Sequence, residues 1–167
     1  ATSNICTSQS LLTNVVSFYT IYHGPKGLTE KSKEVNNKAK YFLEKISPDV
    51  KSIISKQFYD TISFKVIYPY ILIKELKAKD ILVRHTFDNN KNNIISITFD
   101  ESHTYEDIDK MISILKNYKY SWNDNNLFCQ DYNYNYYNHQ LSKDLRRQSS
   151  FLESDLFNTI HTETKLL

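Results

Sequence analysis

The 167 residues include 21 basic and 19 acidic side chains, for a formal charge of +2, with 40% hydrophobic and 24% charged residues. Such a chain can bury a core of its own, and its small, well-mixed charge excludes the strong field that nucleic acid or an anionic membrane would select. The longest apolar run, residues 66–73, is interrupted by Pro69 and is far too short to span a bilayer. Along the chain, Thr7 or Ser8 can cap a first helix carrying Leu11, Leu12, Val15, Val16 and Tyr19 at helical spacing, which Gly24-Pro25 stops. A second helix places Leu28, Val35, Ala39, Phe42, Leu43 and Ile46 on one face and ends at Ser47-Pro48. Ile62, Phe64 and Val66 then alternate with polar residues as in a strand.

Pro69 fits the first turn of a helix running to about Lys79, although its apolar residues fit a strand almost as well. Residues 81–87 and 94–99 read as the two strands of a hairpin around an Asp88-to-Asn93 turn, because Asp and Asn tolerate left-handed backbone. Thr104-Tyr105-Glu106-Asp107 is a capping-box start for a helix with Ile108, Met111, Ile112 and Leu115 on one side. The order predicts an α/β (α+β, two-layer) domain, with a small, mostly antiparallel sheet and helices on one face. Four stretches are expected: a junction segment and helix over 1–24, the α/β domain over 25–118, an Asn/Tyr-rich insertion over 119–145, and an amphipathic tail over 146–167. A start at Ala1 rather than Met is expected to reflect either processing or a piece of a longer polypeptide.

Chemistry-bearing residues are thin on the ground. Cys6 and Cys129 form no framework, and none of the five histidines has metal-pair spacing, so no metal site is predicted. Gly24 and Gly27 are the only glycines, which excludes a glycine-rich phosphate cradle. Asp100-Glu101 reads as acids favoured before a helix N-terminus rather than as an acid–base pair. Cys6, just before a helix start, is a candidate redox-sensitive thiol. Arg84, at the end of a short strand, is a candidate carboxylate-binding residue.

Longer segments say more. The run from Ala1 to Leu12 (ATSNICTSQSLL) resembles the ATSNICT-x-Q-x-L segment of the glycine-cleavage P-protein family, and Tyr22 to Leu28 (YHGPKGL) resembles its YHGPEGL. Tyr59-Asp60-Thr61, Ile81-Leu82-Val83-Arg84, Asp100-Glu101-Ser102 before Glu106-Asp107, and Phe157-Asn158 before His161-Thr162-Glu163-Thr164 continue the resemblance. It spans the chain apart from residues 123–143. Ser96 and Ser150 stand where the family has Gly and Pro, and Glu153-Ser154 and Ile160 also depart from its pattern.

The resemblance implies an inter-domain helix within residues 1–24, the C-terminal small domain of the first half of a two-half, fold-type-I pyridoxal-phosphate enzyme over 25–118, and the start of the linker to the second half over 146–167. Such an enzyme decarboxylates glycine and passes the aminomethyl group to the lipoyl arm of H-protein. It implies that the cofactor lysine lies in the second half, outside this chain, so the chain alone is expected to be inactive. The expected partners are glycine, H-protein and a second P-protein half or chain, with no nucleic acid or membrane. The expected compartment is the bacterial cytoplasm, or alternatively the mitochondrial matrix. By the same resemblance, Thr2, Ser3, Asn4, Cys6 and Thr7 are expected beside the active-site cleft. A non-catalytic module with a borrowed fold and a decaying gene copy are the other readings left open.

Overall fold

A computed structural model of the chain describes residues 7–47, 53–55, 57–118 and 143–166. The elements are α1 (Thr7–Ile46), β1 (Thr61–Lys65), α2 (Pro69–Lys77), β2 (Arg84–Phe87), β3 (Asn93–Thr98), α3 (Tyr105–Asn117), a 3-10 turn (Lys143–Leu145), α4 (Leu156–Thr159) and α5 (Glu163–Leu166). The two N-terminal helices read from the sequence form one element with a break at Gly24, whose φ of 59° and ψ of −175° are non-helical. Pro25 follows directly, where its missing N–H and fixed φ suit the first turn after the break. The proline-led segment after β1 is helical, as α2, with Leu72 and Leu76 buried.

The chain divides into two compact units: residues 34–145, and residues 1–33 with 146–167. In the first unit the sheet order is β1-β3-β2, antiparallel throughout. The period of two puts Ile62 and Phe64 of β1 and Ile95 and Ile97 of β3 on one buried face. Against that face pack Phe42, Leu43 and Ile46 of α1, Leu72 and Leu76 of α2, and Ile108, Ile112 and Leu115 of α3. Each such side chain, fully buried, contributes about 1.5–3 kcal/mol. The opposite face is polar: Thr61 and Thr98 share a hydroxyl–hydroxyl bond of 2.9 Å, and Ser63 and Ser96 one of 2.8 Å. This is the two-layer α/β arrangement, with helices on one face.

β2 is shorter than the predicted 81–87. The reason lies at the end of α2, where the Ile81 N–H donates to the Leu76 carbonyl and Asp80 takes a left-handed φ of 60°. Closing the helix uses the amide that would have begun the strand. The second unit is different in kind. Among its described residues only Gly24 is buried. The amphipathic tail expected over 146–167 forms only the two single-turn helices α4 and α5, neither of which buries a residue.

Candidate functional site

Of the cleft candidates, Thr2, Ser3, Asn4 and Cys6 lie outside the described residues. Thr7 opens α1, and its side chain too lies outside them. The Asn/Tyr-rich stretch over 119–142 is likewise not described. Arg84 stands at the start of β2, not at its end, because the strand begins three residues later than expected. It pairs with Ser96, which pairs with Ser63, so the guanidinium belongs to the polar face of the sheet on an edge strand. Its side chain is exposed. A guanidinium fork beside a row of hydroxyls can hold a carboxylate in two parallel bonds.

The loop before α3 uses its charges internally. Asp100 accepts bonds from the Ser102 amide (2.8 Å) and hydroxyl (2.6 Å), and these, with the nearby His103, hold its carboxyl below the usual range. The Asp107 carboxylate accepts from the Thr104 hydroxyl at 2.6 Å and the Thr104 amide at 3.1 Å, while the Thr104 hydroxyl accepts from the Asp107 amide. That capping box lowers the Asp107 pKa. Acids before a helix N-terminus are what the sequence led one to expect. Beside this loop lies a cavity of about 360 Å³, with Ile97 and Met111 in its floor and Lys79 and Asp107 at its rim.

Sequence reading did not bring together the two quoted segments at opposite ends of the chain. The Tyr22-to-Leu28 segment meets the Phe157-to-His161 segment, and His161 Nδ1 lies 2.9 Å from the Tyr22 carbonyl oxygen across 139 positions. A Cβ on Gly24 would collide with the Phe157 carbonyl oxygen. His23 is packed edge-on by Tyr19 and Tyr22, with centroids 4.4 and 5.1 Å apart. No local periodicity carries that pairing; the only signal was a pair of ordered motifs in a glycine-poor chain.

The described residues do not fit a pyridoxal phosphate site. Lys38 is their buried lysine, and its ammonium is engaged by the Asp100 and Glu101 carbonyls (3.3 and 3.2 Å) and the Glu34 carboxylate (3.2 Å). It is not available to bond a cofactor carbonyl. Neither glycine can cradle a phosphate, because the Phe157 backbone fills the space at Gly24 and the His23 side chain crowds Gly27. No group of three or more His, Cys, Asp or Glu among the described residues is placed to hold a metal.

A model of the family described as glycine cleavage system P-protein matches residues 1–115. The chain belongs to the glycine cleavage system P-protein family. Proteins named glycine dehydrogenase (decarboxylating) align with the whole of it: 28% identical in Pelagibacter ubique and 31% in Aliivibrio fischeri strain MJ11. The pea (Pisum sativum) relative, named as mitochondrial, is 32% identical. The chain spans 16%, 17% and 15% of the length of these three proteins, respectively. No described helix is long and apolar enough to cross a membrane.

Proposed function

We propose that the polypeptide carrying this chain is the pyridoxal-phosphate-dependent glycine decarboxylase of the glycine cleavage system, which transfers the aminomethyl group to lipoyl H-protein. The observation that carries this reading is the whole-chain match to proteins named glycine dehydrogenase (decarboxylating), together with the family match over residues 1–115. In this reading the chain is the small domain of the first half, and the cofactor is held elsewhere. This agrees with the engagement of Lys38 and with the filled space around both glycines. A second half or chain completes the site. The compartment is the bacterial cytoplasm, or the mitochondrial matrix if the source is a eukaryote.

Within that assignment, Thr2, Ser3, Asn4, Cys6 and Thr7 border the active-site cleft as polar residues leading into a helix N-terminus. Arg84 is the carboxylate-binding candidate on the sheet's polar face. The test is glycine–bicarbonate exchange in the presence of H-protein. A polypeptide of the relatives' length should exchange, whereas the 167-residue chain alone should not. Replacing Asn4 and Thr7 by Ala in the long form should lower exchange by roughly tenfold or more, since small displacements at a catalytic cleft are costly. Exchange unchanged by those substitutions removes the cleft assignment, and no exchange by the long polypeptide removes the decarboxylase reading.

A further inference from the structure

Between the 3-10 turn (Lys143–Leu145) and α4, residues 146–153 run without helix or strand. No backbone–backbone hydrogen bond ties them to another described residue, and every residue from 144 to 150 is exposed. In this open stretch stand Arg146 and Arg147. The chain carries its positive charge almost wholly on lysine: of 21 basic residues only three are arginine, and two of the three are this adjacent pair. A guanidinium offers a rigid planar fork for phosphate or carboxylate that an ammonium cannot. Ser149 follows Arg147 by two positions and Arg146 by three. Arg147 Nη1 donates to Ser149 Oγ at 3.2 Å, and the serine's own hydroxyl proton has no acceptor among the described residues. The same guanidinium lies over the Phe151 ring, 5.2 Å from its centroid, which keeps it beside the hydroxyl.

We propose that Ser149 is a phosphorylation site for an arginine-directed serine kinase, and that Arg147 holds the phosphate once it is there. Such a kinase selects its substrate by placing acidic groups opposite cations that precede the hydroxyl. The substrate must also enter the cleft as open chain, and residues 146–153 have no backbone bonds to break first. In the reaction Ser149 Oγ attacks the γ-phosphorus of a nucleoside triphosphate. The new O–P bond forms as the bond from that phosphorus to the β,γ-bridging oxygen breaks. The serine proton passes to the kinase's base, and the nucleoside diphosphate leaves. The phosphate brings about −1.5 to −2 charges to a place where a guanidinium already points, so a 3.2 Å contact with a neutral oxygen becomes a charge-assisted, two-pronged one. The inference rests on exposure and local geometry, and it is independent of the decarboxylase reading.

The test uses a polypeptide of the relatives' length that carries this chain, incubated with labelled ATP, magnesium and the catalytic subunit of a cyclic-AMP-dependent protein kinase, with the site mapped by mass spectrometry. Phosphate should appear on Ser149 at a rate within roughly tenfold of that for a synthetic peptide of residues 143–154, because no local unfolding has to precede it. Arg146→Ala and Arg147→Ala should each lower kcat/KM by roughly tenfold or more, and a kinase directed to acidic sites should leave Ser149 unmodified. In phosphorus NMR of the phosphorylated protein, the second phosphate pKa should lie below the ordinary value of about 6, and Arg147→Gln should raise it. Modification of the peptide but not of the folded polypeptide overturns the proposal. So does phosphate on Ser150 in place of Ser149, or a rate that ignores both arginines. Equal phosphate pKa values in the wild type and Arg147→Gln overturn the role given to Arg147.

Discussion

Asp88 shows how much one carboxylate can organise. Its oxygens accept the Asn90 and Asn92 amides at 2.9 and 2.8 Å and the Asn92 side-chain amide at 2.8 Å, and the Lys65 ammonium lies 3.1 Å away. Hydrogen bonds from Asn92 foremost, with Lys65 and the Asn90 amide adding, lower its pKa to about 2. The left-handed residue of this turn is Lys91, with φ of 62°, and not an Asn as the composition suggested. The backbone there is held by the Asp88 side chain and by the Lys91 N–H to Asp88 carbonyl bond of 2.9 Å. Because the folded-state pKa is depressed, the carboxylate's contribution is present above the unfolded carboxylate pKa of about 4 and is lost as pH falls toward about 2. Thermal melts of the wild type and Asp88→Asn should therefore differ at pH 6 and converge between about pH 4 and pH 2. A gap independent of pH would mean that the turn does not depend on the ionised form.

At the scale of elements, α1 depends on its glycine. Gly24 combines a backbone conformation reserved for glycine with close approach of the Phe157 carbonyl, so both strain and collision oppose a side chain there. Gly24→Ala should cost about 1–3 kcal/mol. It should also free the α4 segment, read as faster amide exchange at Phe157 and Asn158 with residues 95–97 unaffected. Equal exchange at all these positions in the two proteins would show that the break in α1 tolerates a Cβ. α3, by contrast, is specified locally. Its Thr104–Asp107 capping box was legible in four consecutive residues because each partner lies within one turn of the other.

Over the whole molecule, burial is unevenly distributed. Every buried hydrophobic side chain among the described residues lies between Ala39 and Tyr118. In the 167-residue chain, amides of Ile95 and Ile97 should therefore exchange only through global unfolding, and those of residues 8–22 should exchange orders of magnitude faster. Uniform protection across both regions would show that residues 7–33 share the core's stability.

The sequence by itself determined the order of elements through α3, apart from leaving the proline-led segment open between helix and strand, together with the antiparallel two-layer class, the buried faces of α1 from Ala39 onward and of α3, and the family. The first three follow from periodicity and capping, which act over a few residues, and the family follows from long ordered segments. Tertiary structure decided what depends on distant partners. Closure of α2 at Ile81 shortened β2 and put Arg84 at its start. Two segments 139 positions apart met at Gly24. The apolar stripe of residues 11–22 was legible as a helix face, but its exposure was not. A periodic pattern states which side of a helix prefers to be covered, and only the packed chain reveals whether anything within it provides the cover.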